Sequence, residues 1–215
     1  MAFDAVHVEG IRRISAVDIA FATELGYRIK LLGIARQSAG GPSNGISARV
    51  HPCLVPAAAP IARVDGVFNA VVAEGDFVGR VMLEGRGAGG GPTASAVVAD
   101  LIDIARNRLT PVWGAAFDAL SNAPSVPMSM HLGPYYLRLM VVDRPGVIAE
   151  VTAVLRDHGV SLESMLQRGR SPGEAVPVVL VTHETKESAM RDALDRIGAL
   201  PTVMEEPTLI RIEAG

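Results

Sequence analysis

Tyr135-Tyr136-Leu137-Arg138-Leu139-Met140-Val141-Val142-Asp143-Arg144-Pro145-Gly146-Val147 is the stretch that decides the fold. Its first part, rich in β-branched and aromatic residues, reads as a strand over 135–142, and Asp-Arg-Pro-Gly breaks it. A helix follows over 147–158 and stops at Gly159. Further on, strands are expected over 160–167 and 176–182, joined through Gly169, Pro172 and Gly173. A helix over 186–197 ends at Gly198, and a last strand runs over 208–213. The order is βαββαβ, a ferredoxin-like arrangement in which two helices cover one face of a sheet.

Upstream of this module, Pro111, Pro124, Pro127 and Pro134 interrupt any long element. Residues 109–134 therefore read as a connector with a short helix around 114–120. The first half opens with a helix whose start is well specified: Ser15 and Asp18 have capping-box spacing, and Ile14 and Ile19 flank it as a hydrophobic staple. Gly26 is its expected left-handed stop. Strands are expected over 27–35, 46–55, 67–73 and 77–83, with turns such as Glu74-Gly75-Asp76 between them. Their short connections favour antiparallel pairing. A helix over 93–108 gathers Val97, Val98, Leu101, Ile102 and Ala105 on one face. The expected class is α+β, within the broad α/β family: a helix-covered, mostly antiparallel sheet followed by the βαββαβ module. The expected division is a first domain over 1–120, a linker over 121–134 and a second domain over 135–215.

Composition narrows the function. The 215 residues are 49% hydrophobic and 20% charged, enough for a buried core. A formal net charge of -3 gives no electrostatic case for nucleic acid. The single cysteine, Cys53, excludes an intramolecular disulfide and multi-cysteine metal sites. No apolar run reaches the roughly 18–20 residues that span a bilayer, and Met1-Ala2-Phe3-Asp4 does not open a secretory signal. A soluble cytoplasmic protein is expected, without membrane or nucleic-acid partners.

Gly85-Arg86-Gly87-Ala88-Gly89-Gly90-Gly91-Pro92-Thr93, between a strand and a helix, is the strongest motif of the first half. Glycines let backbone amides approach a ligand closely, and a helix N-terminus favours an anion. The letters satisfy G-x-G-x-x-G, but the strand and acidic residue that a dinucleotide fold needs after the helix are missing. Two readings stay open: a tight turn with close helix–sheet packing, or a wall beside a ligand held mainly by another domain. Gly41-Pro42-Ser43-Asn44-Gly45 spells a nucleophile elbow, yet a strand follows it, so it reads as a hairpin loop. His7, His51, His131, His158 and His183 lack metal-ligand spacing and read as surface or connector residues, with no metal expected. Cys53 reads as a small buried hydrophobe. Lys30 and Lys186, the only lysines, read as surface residues. In the second half, Asp143 beside Gly146 at a helix start either caps that helix or receives an amino acid, carboxylate on the amides and ammonium on Asp143. Gln167, ending the next strand, would lie nearby.

Both halves resemble one family. Val8-Glu9-Gly10-Ile11 through Asp18-Ile19, then Gly26-Tyr27 with Ile29-Lys30-Leu31-Leu32, resembles bacterial homoserine dehydrogenase. So do Val67-Phe68-Asn69-Ala70-Val71 and Gly87-Ala88-Gly89 with Pro92-Thr93-Ala94-Ser95-Ala96-Val97. Asp143-Arg144-Pro145-Gly146-Val147 through Glu150-Val151 is similar to the opening of an ACT domain, the βαββαβ regulatory module of many members.

The resemblance implies an NAD- or NADP-dependent oxidoreductase interconverting aspartate 4-semialdehyde and L-homoserine, on the route to threonine and methionine. It also implies that this chain corresponds to the C-terminal half, without the Rossmann domain and without the catalytic aspartate and lysine. No catalytic residue is therefore expected here, and the chain alone is expected to be inactive. Gly89, with Gly87 and Ala88, is expected to face the nicotinamide end of the cofactor; Arg86 departs from the proline common before it. Asp143, Gly146 and Gln167 are expected to contact an amino-acid effector, threonine by the family's feedback logic, in a homo-oligomer paired through ACT edges. The ribose-reading residues fall outside the chain, so NAD and NADP both stay open. The alternative is a stand-alone amino-acid-binding ACT regulator.

Overall fold

The computed structural model describes residues 3–38, 45–108, 116–119, 122–169 and 171–213. In chain order the elements are β1 (His7–Val8), α1 (Ala16–Glu24), β2 (Tyr27–Ser38), β3 (Gly45–Pro56), β4 (Phe68–Gly75), β5 (Gly79–Arg86) and α2 (Gly90–Ala105). After the connector come β6 (Leu132–Gly133), β7 (Tyr135–Val142), α3 (Val147–Asp157), β8 (Leu162–Gln167), β9 (Ala175–Thr182), β10 (Thr185–Lys186), α4 (Glu187–Gly198) and β11 (Thr208–Ile212). The architecture is α+β.

Local chemistry accounts for most boundaries. Ser15 caps α1 in a reciprocal box: the Asp18 amide donates to Ser15 Oγ at 3.3 Å, and the Ser15 amide to Asp18 Oδ2 at 2.8 Å. Gly26 ends the helix at φ 80, a left-handed conformation that glycine adopts without strain. α2 begins at Gly90, three residues before its expected start, because Gly89 at φ 119 turns the chain into the helix. Pro92 falls in the first turn, where its missing N–H is no loss. The turn between β4 and β5 lies at 76–78 rather than 74–76, leaving Phe77 and Val78 exposed. The helix expected over 114–120 falls partly outside the described residues; within them Phe117–Ala119 is a 3-10 turn. Of the elbow-like Gly41-Pro42-Ser43-Asn44-Gly45, only Gly45 is among the described residues, and it opens β3.

The chain forms two compact units that cut across the expected 1–120, 121–134 and 135–215 division: Met1–Ala58 with Ala123–Gly215, and Ala59–Asn122. The cause is a pairing the sequence does not announce. β3 lies parallel to β11, with Arg211 opposite Cys53 and Ile212 opposite Leu54, so the β2–β3 hairpin extends the βαββαβ sheet. The main strand order is β1-β3-β11-β7-β9-β8, with β2 on β3. Its last four strands keep the order expected of the βαββαβ module.

Alternation along β7 gives that sheet two apolar faces. Tyr135, Leu137, Leu139 and Val141 pack with Val151 and Leu155 of α3 and with Met190 and Ile197 of α4. Tyr136 points the other way and packs with Val179, Ile210 and Phe21 of α1. α3 and α4 thus cover one face as expected, and α1 covers the second. The other compact unit contains the antiparallel β4–β5 hairpin, a two-stranded sheet of its own, and α2.

Candidate functional site

The glycine loop belongs to the β4–β5–α2 unit. The Gly87 amide donates to Val67 O at 3.0 Å, closing the end of the hairpin. A Cβ at Gly87 would collide with the Asn69 carboxamide, so only glycine fits against that side chain. Gly89, at φ 119 and ψ 145, opens α2 without a side-chain cap or an acidic residue in the first turn. Around Gly85, Gly90 and Gly91 a Cβ would meet nothing within 4 Å. Gly87, Ala88 and Gly89 are all exposed. A bare glycine surface at the positive end of a helix fits the close approach of a flat, polar cofactor ring. Beside it the Arg86 guanidinium lies 5.5 Å from the centre of the Phe68 ring.

The second locus is the β7–α3 turn. Asp143, Arg144, Pro145, Gln167 and Gly169 line a hollow of about 370 Å³. Asp143 and Gln167 therefore face one hollow. Gly146, at φ 93, starts α3 beside the hollow but does not line it. Asp143 does not cap α3, whose N-cap makes no side-chain bond. Its Oδ2 instead accepts from the Ser171 amide at 2.7 Å, fixing the carboxylate at the rim. Among the described residues β8 is the last strand of its sheet, which leaves an outer edge that could pair with another strand.

Sequence reading missed a set of buried ion pairs. Arg211, 1% exposed at its side chain, donates from Nη1 to Glu9 Oε2 at 2.9 Å and from Nε to Glu187 Oε2 at 2.9 Å. Burial pushes the Glu9 carboxyl up, but Arg211 and then Arg191 outweigh it and hold it well below the usual carboxylate range. Arg138 Nε donates to Asp18 Oδ1 at 2.7 Å, and Arg49 Nη2 to Glu213 Oε1 at 2.6 Å. Each acid and its base lie too far apart in sequence for any spacing rule to reveal them.

His51 corrects the surface-or-connector reading of the histidines, while His131 lies half-buried in the connector as that reading has it. His51 is fully buried, and Nε2 of both rings is buried without a hydrogen bond among the described residues. Cys53 is buried as expected, and burial, then Glu213, pushes its thiol up to about 12. Ligand atoms of His51, Cys53 and Glu213 lie within 4.8 Å of one another. Both Glu213 oxygens, however, accept from guanidinium groups, of Arg49 and Arg36. The trio is therefore part of a buried ion-pair cluster.

Residues 1–102 match the family model described as homoserine dehydrogenase, and residues 135–200 match the ACT domain model. A homoserine dehydrogenase of Pseudomonas aeruginosa is 41% identical over 98% of this chain and 49% of its own length. One of Synechocystis is 44% identical over 96% of this chain and 49% of its own length. The crystal structure of a homoserine dehydrogenase from Thiobacillus denitrificans matches with a TM-score of 0.87 at 43% identity, covering 100% of this chain and 49% of that one. The chain spans about half the length of the curated relatives it matches.

Proposed function

We propose a function from one premise: this chain belongs to the homoserine dehydrogenase family and carries an ACT domain. It serves as the C-terminal half of an NAD(P)-dependent oxidoreductase interconverting aspartate 4-semialdehyde and L-homoserine, in threonine and methionine biosynthesis. The cofactor supplies the hydride. Gly87, Ala88 and Gly89 form the wall against its nicotinamide end, where the lack of side chains permits contact by the backbone. The first turn of α2 adds partial positive charge at that wall. Such positioning accounts for much of the rate in a hydride transfer. The residues that bind the rest of the cofactor and the reacting groups of the substrate belong to the other half of the enzyme, so this chain alone is inactive.

The observation that carries this reading is the state of α2. The helix has no buried residue, although Val97, Leu101 and Ile104 are 53%, 59% and 74% exposed on it. Each such side chain forgoes more than half of the about 1.5–3 kcal/mol that full burial contributes. Val71 and Leu83 of the neighbouring hairpin are 66% and 70% exposed. These surfaces take as partner the polypeptide that the relatives carry and this chain does not span. A stand-alone amino-acid-binding ACT regulator is the alternative, but it gives these surfaces and the glycine loop no work.

The ACT domain would confer feedback control. Asp143 and Gln167 would bind an amino acid, threonine, with Gly146 at the start of α3 beside them, across a pairing of two β8 edges in a homo-oligomer. Among the described residues no helix is long and apolar enough to cross a membrane, and a cytoplasmic location suits the pathway. Fusing the chain behind the N-terminal half of the Pseudomonas aeruginosa relative tests the reading. Homoserine-dependent reduction of NADP or NAD is expected, and a folded fusion without it contradicts the assignment.

A further inference from the structure

We infer that the chain has a second small-molecule site, for a free α-amino acid, between residues 9–14 and the carboxyl end of α4. It is separate from the Asp143 hollow, and it does not depend on the dehydrogenase reading.

The groove there has a volume of about 760 Å³, within the usual range of about 300–1,000 Å³ for small-molecule sites. Its charged lining balances: Arg12, Arg13 and Arg191 against Glu9, Asp195 and Glu206. Four of these are engaged with partners. Arg13 pairs with Glu206 at 2.6 Å, and Arg191 pairs with Glu9 and with Glu187. Arg12 and Asp195 remain, and neither side chain has a hydrogen-bond or ion-pair partner among the described residues.

One unpartnered cation and one unpartnered anion on a shared groove match a zwitterion. The Arg12 guanidinium presents a planar fork suited to a carboxylate. Asp195 lies in the last turn of α4, which ends at Gly198, also in the lining. The negative end of the helix reinforces the Asp195 carboxylate as a seat for an ammonium group. A phosphate would need a net positive lining, and a divalent cation would need several converging oxygens. Neither matches a balanced wall. Ile14, Pro52 and Leu209 supply apolar lining, so the fitting ligand carries a short aliphatic side chain.

Such a ligand would join the two segments that Arg211 already links, since Glu9 lines the groove and Glu187 begins α4. Titration calorimetry of the 215-residue chain with L-threonine, L-isoleucine and L-methionine tests the site. At least one is expected to bind, with affinity falling tenfold or more in Arg12→Ala and in Asp195→Asn. These exposed side chains lack partners, so both variants should melt like the parent. The methyl ester, lacking the carboxylate, and the N-acetyl derivative, lacking the ammonium, should each lose binding. Asp143→Ala should leave this binding intact while removing any binding at the proposed ACT effector site. Absence of heat with all three amino acids overturns the inference, as does heat that Arg12→Ala and Asp195→Asn both leave unchanged. Heat removed only by Asp143→Ala supports the effector reading and refutes the second site.

Discussion

Arg211 Nη1 donates to Glu9 Oε2 at 2.9 Å across 202 positions of the chain. Glu9 lies in the segment that matches the dehydrogenase family model, and Arg211 lies in the last strand of the βαββαβ sheet. Asp18 with Arg138, and Arg49 with Glu213, repeat the pattern. In every case a group from the first 58 residues meets one from β7 or beyond. Buried ion pairs contribute little net stability, but they penalise any docking that leaves a charge unpaired. They therefore fix how the βαββαβ module joins the β2–β3 hairpin and α1 within one compact unit.

Breaking this clasp from one side should be costly. Arg211→Met leaves Glu187, 4% exposed at its side chain, without its buried guanidinium. Loss of up to about 3–5 kcal/mol is expected, because Glu187 then keeps only the half-exposed Arg191 as its cationic partner. Adding Glu187→Gln to Arg211→Met should recover part of that loss. Urea unfolding of the three proteins measures it, and equal midpoints for Arg211→Met and the parent would contradict the clasp.

Acid should weaken the fold in two stages. Burial, then Arg49, lowers His131 from 6.5 to about 4 in the folded chain. The unfolded chain therefore takes up this proton first as pH falls, and the stability that neutral His131 provides above pH 6.5 is lost progressively toward pH 4. His51, lowered chiefly by burial, acts in the same direction. For Asp18 and Glu187 burial raises the pKa, but Arg138 and Ser15 for the first, and Arg211 and Arg191 for the second, outweigh it and lower it below 3.8 and 4.5. Their stabilisation is present above those unfolded values and disappears as pH falls below them. Urea midpoints should decline below pH 6.5 and drop further below pH 4. His131→Phe should make the first decline shallower, with His51 supplying what remains, and leave the second.

Asn69 and Gly87 make a local test of the glycine loop. Gly87→Ala places a methyl on the Asn69 carboxamide and should destabilise the hairpin by about 1–3 kcal/mol, the usual cost of overpacking. Asn69→Ala in the same chain should restore most of it. Hydrogen exchange at the Val71 and Leu83 amides reads the effect, and unchanged protection in Gly87→Ala would refute the contact.

How much of this was legible in sequence depended on range. The Ser15–Asp18 box, Gly26 and the Asp143–Val147 turn act within a few residues, and their chemistry appears in the letters. The βαββαβ order was legible because apolar alternation and glycine stops repeat through 135–213. The β3–β11 pairing was not, since Cys53 and Arg211 carry no mark of one another. For the same reason the buried role of His51 was hidden: a histidine between Val50 and Pro52 reads as part of an ordinary strand. The site residues divide likewise. Strand order foretells that Asp143 and Gln167 line one hollow, whereas only the fold brings Arg12 and Asp195 into the lining of one groove.

The proposed ACT effector site makes its own demand. Asp143→Ala and Gln167→Ala should each weaken threonine binding at the 370 Å³ hollow by tenfold or more. If pairing of two β8 edges completes that proposed site, a proline at Met165 should lower the oligomeric state and threonine affinity together. Calorimetry beside light scattering checks both, and threonine binding by a monomeric variant at full affinity would oppose the paired site.

The central claim, that this chain is half of a dehydrogenase, is tested most directly by assaying the purified 215-residue protein with L-homoserine and NADP or NAD. The account predicts no reduction of either cofactor above the blank, with the protein folded and Gly87, Ala88 and Gly89 intact. Homoserine-dependent reduction by the chain alone would contradict it, because cofactor binding and hydride transfer would then lie wholly within these residues.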